Sequence, residues 1–170
     1  MPINSTLAFA VGALALIGIS PYVMPGEVTI EREAVIDASP EAVYQVLSSN
    51  QGFQRINPWK DADPTLQITL SGPEAGIGSA FSFSGKDGEG TQTITALDPA
   101  RRVVTEIDLG AMGKPVQSFT LEPAGEGVRV IWSTRADFGL NPIGRIIGLF
   151  MDDRLGPVYE QGLKNLANVV

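Results

Sequence analysis

The sequence predicts an α+β domain: one strand, two short helices, six further strands and a long terminal helix. Three observations carry that reading. Val28 to Ile36 alternates like a half-buried strand, and Ser39-Pro40 then opens an apolar pattern at helical spacing. From Leu66 the hydrophobic period becomes two and is broken at short intervals by Gly- and Pro-rich turns, until Asn141-Pro142 restores helical spacing.

The first strand, "VTIEREAVI", places Val28, Ile30 and Arg32 on one side. In the stretch that follows, Ser39 is a preferred N-cap, Pro40 fits the first helical position, and Glu41 sets a negative charge near the positive helix end. Ala42, Val43, Val46 and Leu47 form its apolar stripe, which Ser48 to Gly52 closes. A second short helical turn is expected over Phe53 to Ile56, ending before Pro58.

The six later strands are expected at 66–70, 79–84, 90–97, 103–108, 116–122 and 128–136. Their separators, such as "GKDGE", "DPAR" and "PAGEG", are short, so neighbouring strands run antiparallel as a meander. In the last strand, Val130, Trp132 and Thr134 share one face while Arg129, Ile131, Ser133 and Arg135 share the other; both carry large residues, so alternation leaves the inward face open. The terminal helix has a first apolar stripe, Ile143, Ile146, Ile147 and Phe150, and a second from Leu155 to Val170. Gly156-Pro157 between them is expected to kink or break it, because proline removes a helical hydrogen bond.

The 170 residues suit one well-buried domain, with no internal repeat or linker. Twelve basic residues against 19 acidic ones give a net charge of -7, which opposes binding to nucleic acid or anionic headgroups. The chain has no cysteine and no histidine, so disulfides, thiol nucleophiles, imidazole bases and ordinary zinc sites are excluded by inventory. No glycine cluster follows a strand and opens a helix as a phosphate loop requires, and no cofactor is expected.

Residues 1–26 form a separate hydrophobic segment without a single Asp, Glu, Lys or Arg. Residues 3–23 are long enough to cross the roughly 30 Å hydrocarbon layer as a helix. Three readings compete: a signal peptide, disfavoured by the absent basic region and by Pro21 after the candidate cleavage site; a buried helix of a soluble protein; and an uncleaved single-pass anchor. The anchor leads, with the globular domain placed outside the cytoplasm. Residues 27–170 form the domain.

The stretches "EREAVIDASPEAVYQVLSSNQGFQRINPW" and "NPIGRIIGLFMDDRLGPVYEQGLKNLANV", in this element order, resemble the SRPBCC or START-like (birch-pollen-allergen-like) superfamily, in particular its polyketide cyclase/dehydrase branch. The likeness runs from Glu27 to Val170, and a hydrophobic N-terminal segment is common among bacterial members. It implies a helix-grip fold, a curved seven-stranded antiparallel sheet around the long C-terminal helix, with a cavity for lipids, polyketides or other apolar molecules between them.

A site of that kind is mostly apolar with few polar groups. Its candidate wall residues are Phe53, Trp59, Phe81, Phe83, Phe119, Trp132 and Phe150, although core packing accounts for any one of them. Catalytic residues are not assigned. Glu106 and Asp108, Arg135 and Asp137, and the Asp152-Asp153-Arg154 run are the ionisable groups to watch.

The leading function is a membrane-tethered carrier of a small hydrophobic ligand, without metal or nucleic acid. A cyclase- or dehydratase-type enzyme using carboxylates is the alternative, and the missing inventory leans away from it. A protein-interaction module, as in Hsp90-ATPase activators, is the third reading. It is favoured if sheet and helix pack solidly, without a cavity of even about 300 Å³.

Overall fold

The computed structural model describes residues 23–170. The chain runs β1 (Glu27–Ile36), α1 (Pro40–Leu47), α2 (Asn50–Ile56), α3 (Trp59–Ala62), β2 (Gln67–Ser71) and β3 (Ala80–Gly85). Then come β4 (Gly88–Asp98), β5 (Arg102–Asp108), β6 (Val116–Ala124), β7 (Gly127–Asp137), α4 (Pro142–Gly148) and α5 (Met151–Ala167). All seven strands form one antiparallel sheet in the order β1-β7-β6-β5-β4-β3-β2. The helix-grip architecture is therefore present, with β1 closing onto the last strand of the meander.

Local chemistry sets the corners. Ser39 Oγ accepts the Ala42 N–H at 3.2 Å, Ser49 Oγ the Gly52 N–H at 3.0 Å, and Asn141 Oδ1 the N–H groups of Ile143 and Gly144. The register of β4 against β5 shifts between Ile94 and Ala96, a bulge that bends the sheet locally.

One face of the sheet is buried beneath the helices, and alternation now resolves. Val130, Trp132 and Thr134 point inward, in step with Ile30 on β1 and with Phe119 and Leu121 on β6. Arg129 and Arg135 point out. Helix α5 turns Gly156, Tyr159, Gly162, Leu163 and Leu166 onto this face, chiefly over β1.

At Gly162 the approach is closest. A Cβ there would fall on the Trp132 ring, so helix and strand meet through a residue without a side chain. Gly156 does the same for Arg32, whose guanidinium lies where a Cβ would project. That guanidinium grips Asp152 with Nη1 at 2.9 Å and Nη2 at 3.1 Å and reaches Glu160 with Nε at 3.2 Å, pinning α5 to the edge strand. Hydrogen bonding to Arg32 holds the Asp152 carboxyl below the usual carboxylate range.

Two expectations need correction. The terminal helix is not broken at Gly156-Pro157: α5 runs through Pro157, and the interruption falls at Leu149–Phe150. The lost N–H costs one hydrogen bond, whereas burial of Tyr159, Leu163 and Leu166 beyond it rewards continuing the helix. There are also three short helical pieces after β1 rather than two. Ser49 caps a helix beginning at Asn50, and Asn57 Oδ1 accepts the Trp59 N–H at 3.1 Å to start the single turn of α3.

Among the described residues no helix is long and apolar enough to cross a membrane. The expected N-terminal hydrophobic helix lies, apart from Val23, outside them.

Asp63 ties α3 to the β3–β4 hairpin. Its Oδ1 accepts from the Thr65 N–H at 2.9 Å and hydroxyl at 2.6 Å, its Oδ2 from the Lys86 N–H at 2.8 Å, and Lys86 Nζ reaches the Ala62 carbonyl. The Thr65 hydroxyl, then the backbone N–H groups of Lys86 and Thr65, hold the Asp63 carboxyl below its ordinary value. For a depressed carboxylate, the stabilisation is complete above the unfolded-state pKa, about 3.9, and is lost as pH falls through the lower folded value. Asp63→Asn is therefore expected to be less stable than the parent at pH 7, with the difference shrinking below about pH 4. Urea unfolding at both pH values checks this; a difference that stays constant with pH refutes the linkage.

Candidate functional site

Trp132, on the middle of β7, is fully buried, and the aromatic side chains gather around it. Phe119 lies directly across the ladder on β6, its ring centroid 4.8 Å from that of Trp132. Tyr159 from α5 stacks on the indole at 4.5 Å with the planes 5° apart. Phe53 from α2 meets Trp132 edge-on at 6.1 Å and stacks against Phe81 at 5.8 Å, and Phe81 leads to Phe83 along β3. Trp59 from α3 closes the group, edge-on to both Trp132 and Tyr159. Six of the seven expected wall residues are thus one cluster on the concave face. Phe150 stands apart at the α4–α5 junction, 64% exposed.

Beside the aromatic wall runs a row of neutral polar side chains. Thr105, Gln117 and Thr134 are direct cross-strand neighbours on β5, β6 and β7, and Gln92 lies on β4 opposite Ile107. All four are buried; Gln117 is 0% exposed and Gln92 3%. Tyr159 Oη donates to Thr134 Oγ1 at 2.8 Å, and one end of the Gln117 amide bonds the Thr105 hydroxyl at 3.3 Å. The other end of the Gln117 amide, the Gln92 Nε2 and the Trp132 indole N–H have no hydrogen-bond partner among the described residues. Leaving such a group unmet costs about 1–3 kcal/mol; Gln54 Nε2 on α2 is likewise unmet, and the other three fall on β4, β6 and β7 of the concave face.

Sequence reading missed this row. Its signal was present: Gln117 alternates in step with Phe119 and Leu121, and Gln92 in step with Ile94, so each amide occupies a position where the pattern wants an apolar residue.

Tyr159 is the titratable group of the wall, and burial pushes its phenol up to about 12, against a smaller opposite effect of the Thr134 bond. The ionisable residues singled out from sequence lie elsewhere. Glu106 and Asp108 are half exposed on the outer face and share Lys114, at 3.7 and 2.8 Å. Arg135 pairs with Glu27, and Asp137 accepts the Gly139 N–H. Of the terminal-helix run, Asp152 is engaged by Arg32, and Arg154 reaches across to Asp87 at the tip of the β3–β4 hairpin at 2.8 Å. Hairpin and helix are thereby bridged. No group of Asp and Glu residues among those described has the arrangement of a metal site.

In the space expected between sheet and helix, neighbouring rings among Phe53, Phe119, Trp132, Trp59 and Tyr159 lie 4.5 to 6.3 Å apart, centroid to centroid. The surface forms a hollow of about 420 Å³ lined by Thr69, Ser82, Ser84 and Thr91 together with Leu109 and the expected wall residue Phe83, and another of about 230 Å³ lined by Asn50, Leu70 and Pro73. No residue of α5 lines either one.

Residues 27–170 match the family described as polyketide cyclase/dehydrase and lipid transport. The chain belongs to that family. No curated protein shows significant sequence similarity to it. Among solved structures, protein CV1439 from Chromobacterium violaceum is 18% identical, with 84% of this chain and 96% of that one covered and a TM-score of 0.60. A norcoclaurine synthase point mutant from Thalictrum flavum, in complex with a transition-state analogue, gives 15% identity, coverages of 84% and 95%, and a TM-score of 0.63. The Aha1 dimer from Colwellia psychrerythraea gives 21%, 78% and 90%, and 0.54. At these identities the likeness is one of fold, and within the family the site decides function.

Proposed function

We propose that the protein binds and carries a small hydrophobic ligand on the concave face between sheet and α5, and is held to a membrane by residues 3–23. The observation that carries the reading is the unmet polar set, Gln92, Gln117 and the Trp132 N–H, within an aromatic wall. An interior closed for good gains nothing from buried amides, whereas a ligand with an apolar body and one polar end would satisfy them and stack on the rings. Family membership supports the same class of ligand.

Trp59 is the wall residue best placed to move aside. It is only partly buried, and it stands on a four-residue helix rather than on the sheet. The wall and polar row offer a phenol held neutral and no carboxylate, which favours carriage over carboxylate-driven cyclisation or dehydration.

The close stacking of the rings fits the interaction-module reading as well, so one experiment should separate the two. Trp59 and Trp132 are the only tryptophans of the chain and both stand in the wall, so their emission reports directly on occupancy. Full-length protein purified from membranes is expected to release a hydrophobic molecule into organic solvent, detectable by mass spectrometry. Titration with N-phenylnaphthylamine should then shift or quench the tryptophan emission saturably. An empty extract together with unchanged emission would sink the carrier reading and leave the interaction module.

A further inference from the structure

Helix α4 lies on the fold with its polarity reversed. Gly144 and Gly148, four residues apart, face inward: a Cβ on Gly144 would meet the Phe138 ring at 2.6 Å, and one on Gly148 would meet Phe138 and Val28 at 2.9 Å. The bulky residues therefore point out. Ile143, Ile146, Ile147 and Phe150 follow the i, i+3, i+4, i+7 spacing of one helix face, and all are exposed, with Leu140 and Leu149 beside them. Ile143 is 68% exposed and Leu140 76%. From Phe138 to Met151 the sole charged residue is Arg145, and its guanidinium is turned back onto the Gly139 and Met24 carbonyls. An apolar patch of this extent marks a surface that something covers.

The position of the chain's own N-terminal side says what covers it. The Phe138 N–H donates to the Gly26 carbonyl at 2.7 Å, and Arg145 Nη1 to the Met24 carbonyl at 3.0 Å, so the chain leaves the domain directly at α4. Residue 22, the end of a segment with no charged side chain, is two positions from Met24 and so at most about 7 Å away along the chain. If that segment enters a bilayer, α4 is held at the bilayer surface by so short a leash that it cannot stay clear of it.

We propose that the exposed face of α4, with Leu140, Leu149 and Phe150, inserts into the interfacial layer of the lipid membrane as a second, non-spanning contact. The proposal rests on the tether reading and goes beyond it, since a tether alone brings α4 near the bilayer without inserting its apolar face. With α4 in the lipid, the beginning of α5 and its Arg154–Asp87 bridge to the β3–β4 hairpin stand next to the membrane surface. An apolar ligand would then reach the concave face without crossing open water.

The absence of cysteine permits a clean test on the full-length chain. Ile147→Cys, Phe150→Cys and, on the remote β6–β7 turn, Glu126→Cys are each labelled with an environment-sensitive fluorophore and reconstituted into phosphatidylcholine vesicles with or without a shallow doxyl-lipid quencher. An interfacial helix sits about 5–10 Å deep, so the labels at 147 and 150 should lose about half of their emission or more while the label at 126 loses little. Vesicle flotation is read in parallel. Chains that float while all three labels are equally unquenched overturn the α4 contact and leave the tether intact. Labels at 147 and 150 shielded from aqueous iodide but untouched by the lipid quencher also overturn it, in favour of a second copy or the chain's own residues on that face. Chains that fail to float overturn the tether, and the α4 contact with it.

Discussion

Replacing Trp132 with alanine is expected to lower the unfolding free energy of the domain by about 3–5 kcal/mol, the usual range for truncating a fully buried large aromatic. For a domain of this size that corresponds to a fall in Tm of roughly 10 °C or more, measurable by circular dichroism. The expectation is at the upper end because the indole is a common partner: Tyr159, Phe119, Phe53 and Trp59 all direct rings at it. Its loss leaves a cavity that rigid neighbours fill poorly.

Gly162 supplies an internal check. Gly162→Ala in the parent background drives a Cβ into the Trp132 ring and should cost about 1–3 kcal/mol by overpacking. In the Trp132→Ala background the same change is left with only an ordinary contact to Pro58 at 3.4 Å and gains helix propensity, so it should be neutral or stabilising. Additive effects in the two backgrounds would show that α5 and β7 do not meet as described.

Much of this fold was legible because local chemistry and global architecture agree. Ser39-Pro40 and Asn141-Pro142 each spell a helix start, and each side chain accepts the N–H groups that its helix leaves unpaired. The hairpins were legible because their separators are short and supply the φ values that tight turns need, as at Gly88 and Gly125. Where reading failed, a tertiary contact outweighed a local rule. Pro157 is a helix breaker by propensity, yet α5 continues through it because the residues beyond bury themselves on the sheet. The inward face of β7 was ambiguous because Ile131 and Arg135 are as large as Val130 and Thr134; only pairing with Ile30 and Phe119 decides it.

The aromatic half of the candidate site could be found by residue type, since large rings are few in this chain. Phe150 was grouped with them by residue type alone, and the structure keeps it beside Ile143, Ile146 and Ile147, exposed and apart from the ring cluster. The polar half is different in kind. An amide such as Gln117 looks like a surface residue until the register of β5, β6 and β7 places it between Thr105 and Thr134 beneath the helices.

That residue separates stability from function. Gln117→Leu replaces a buried amide having one unmet end with an apolar side chain of similar size, and so removes a desolvation cost. The bond to the Thr105 hydroxyl is lost, but at 3.3 Å it is long, and the Thr105 side chain keeps a rotatable hydroxyl. The ligand-free protein is therefore expected to gain stability, by about 1 kcal/mol. Retention of a hydrophobic ligand should move the other way. If the polar end of the ligand meets this amide, its removal costs about 1.4–2.7 kcal/mol of affinity, or about 10- to 100-fold. Urea unfolding of ligand-stripped protein and the N-phenylnaphthylamine titration, run side by side on parent and variant, read the two signs independently. A destabilised variant with unchanged binding would make Gln117 an ordinary structural hydrogen-bonding residue and remove the main support for a ligand on the concave face. A stabilised variant that binds less is the signature of a polar group kept in the core at a cost to folding because a ligand uses it.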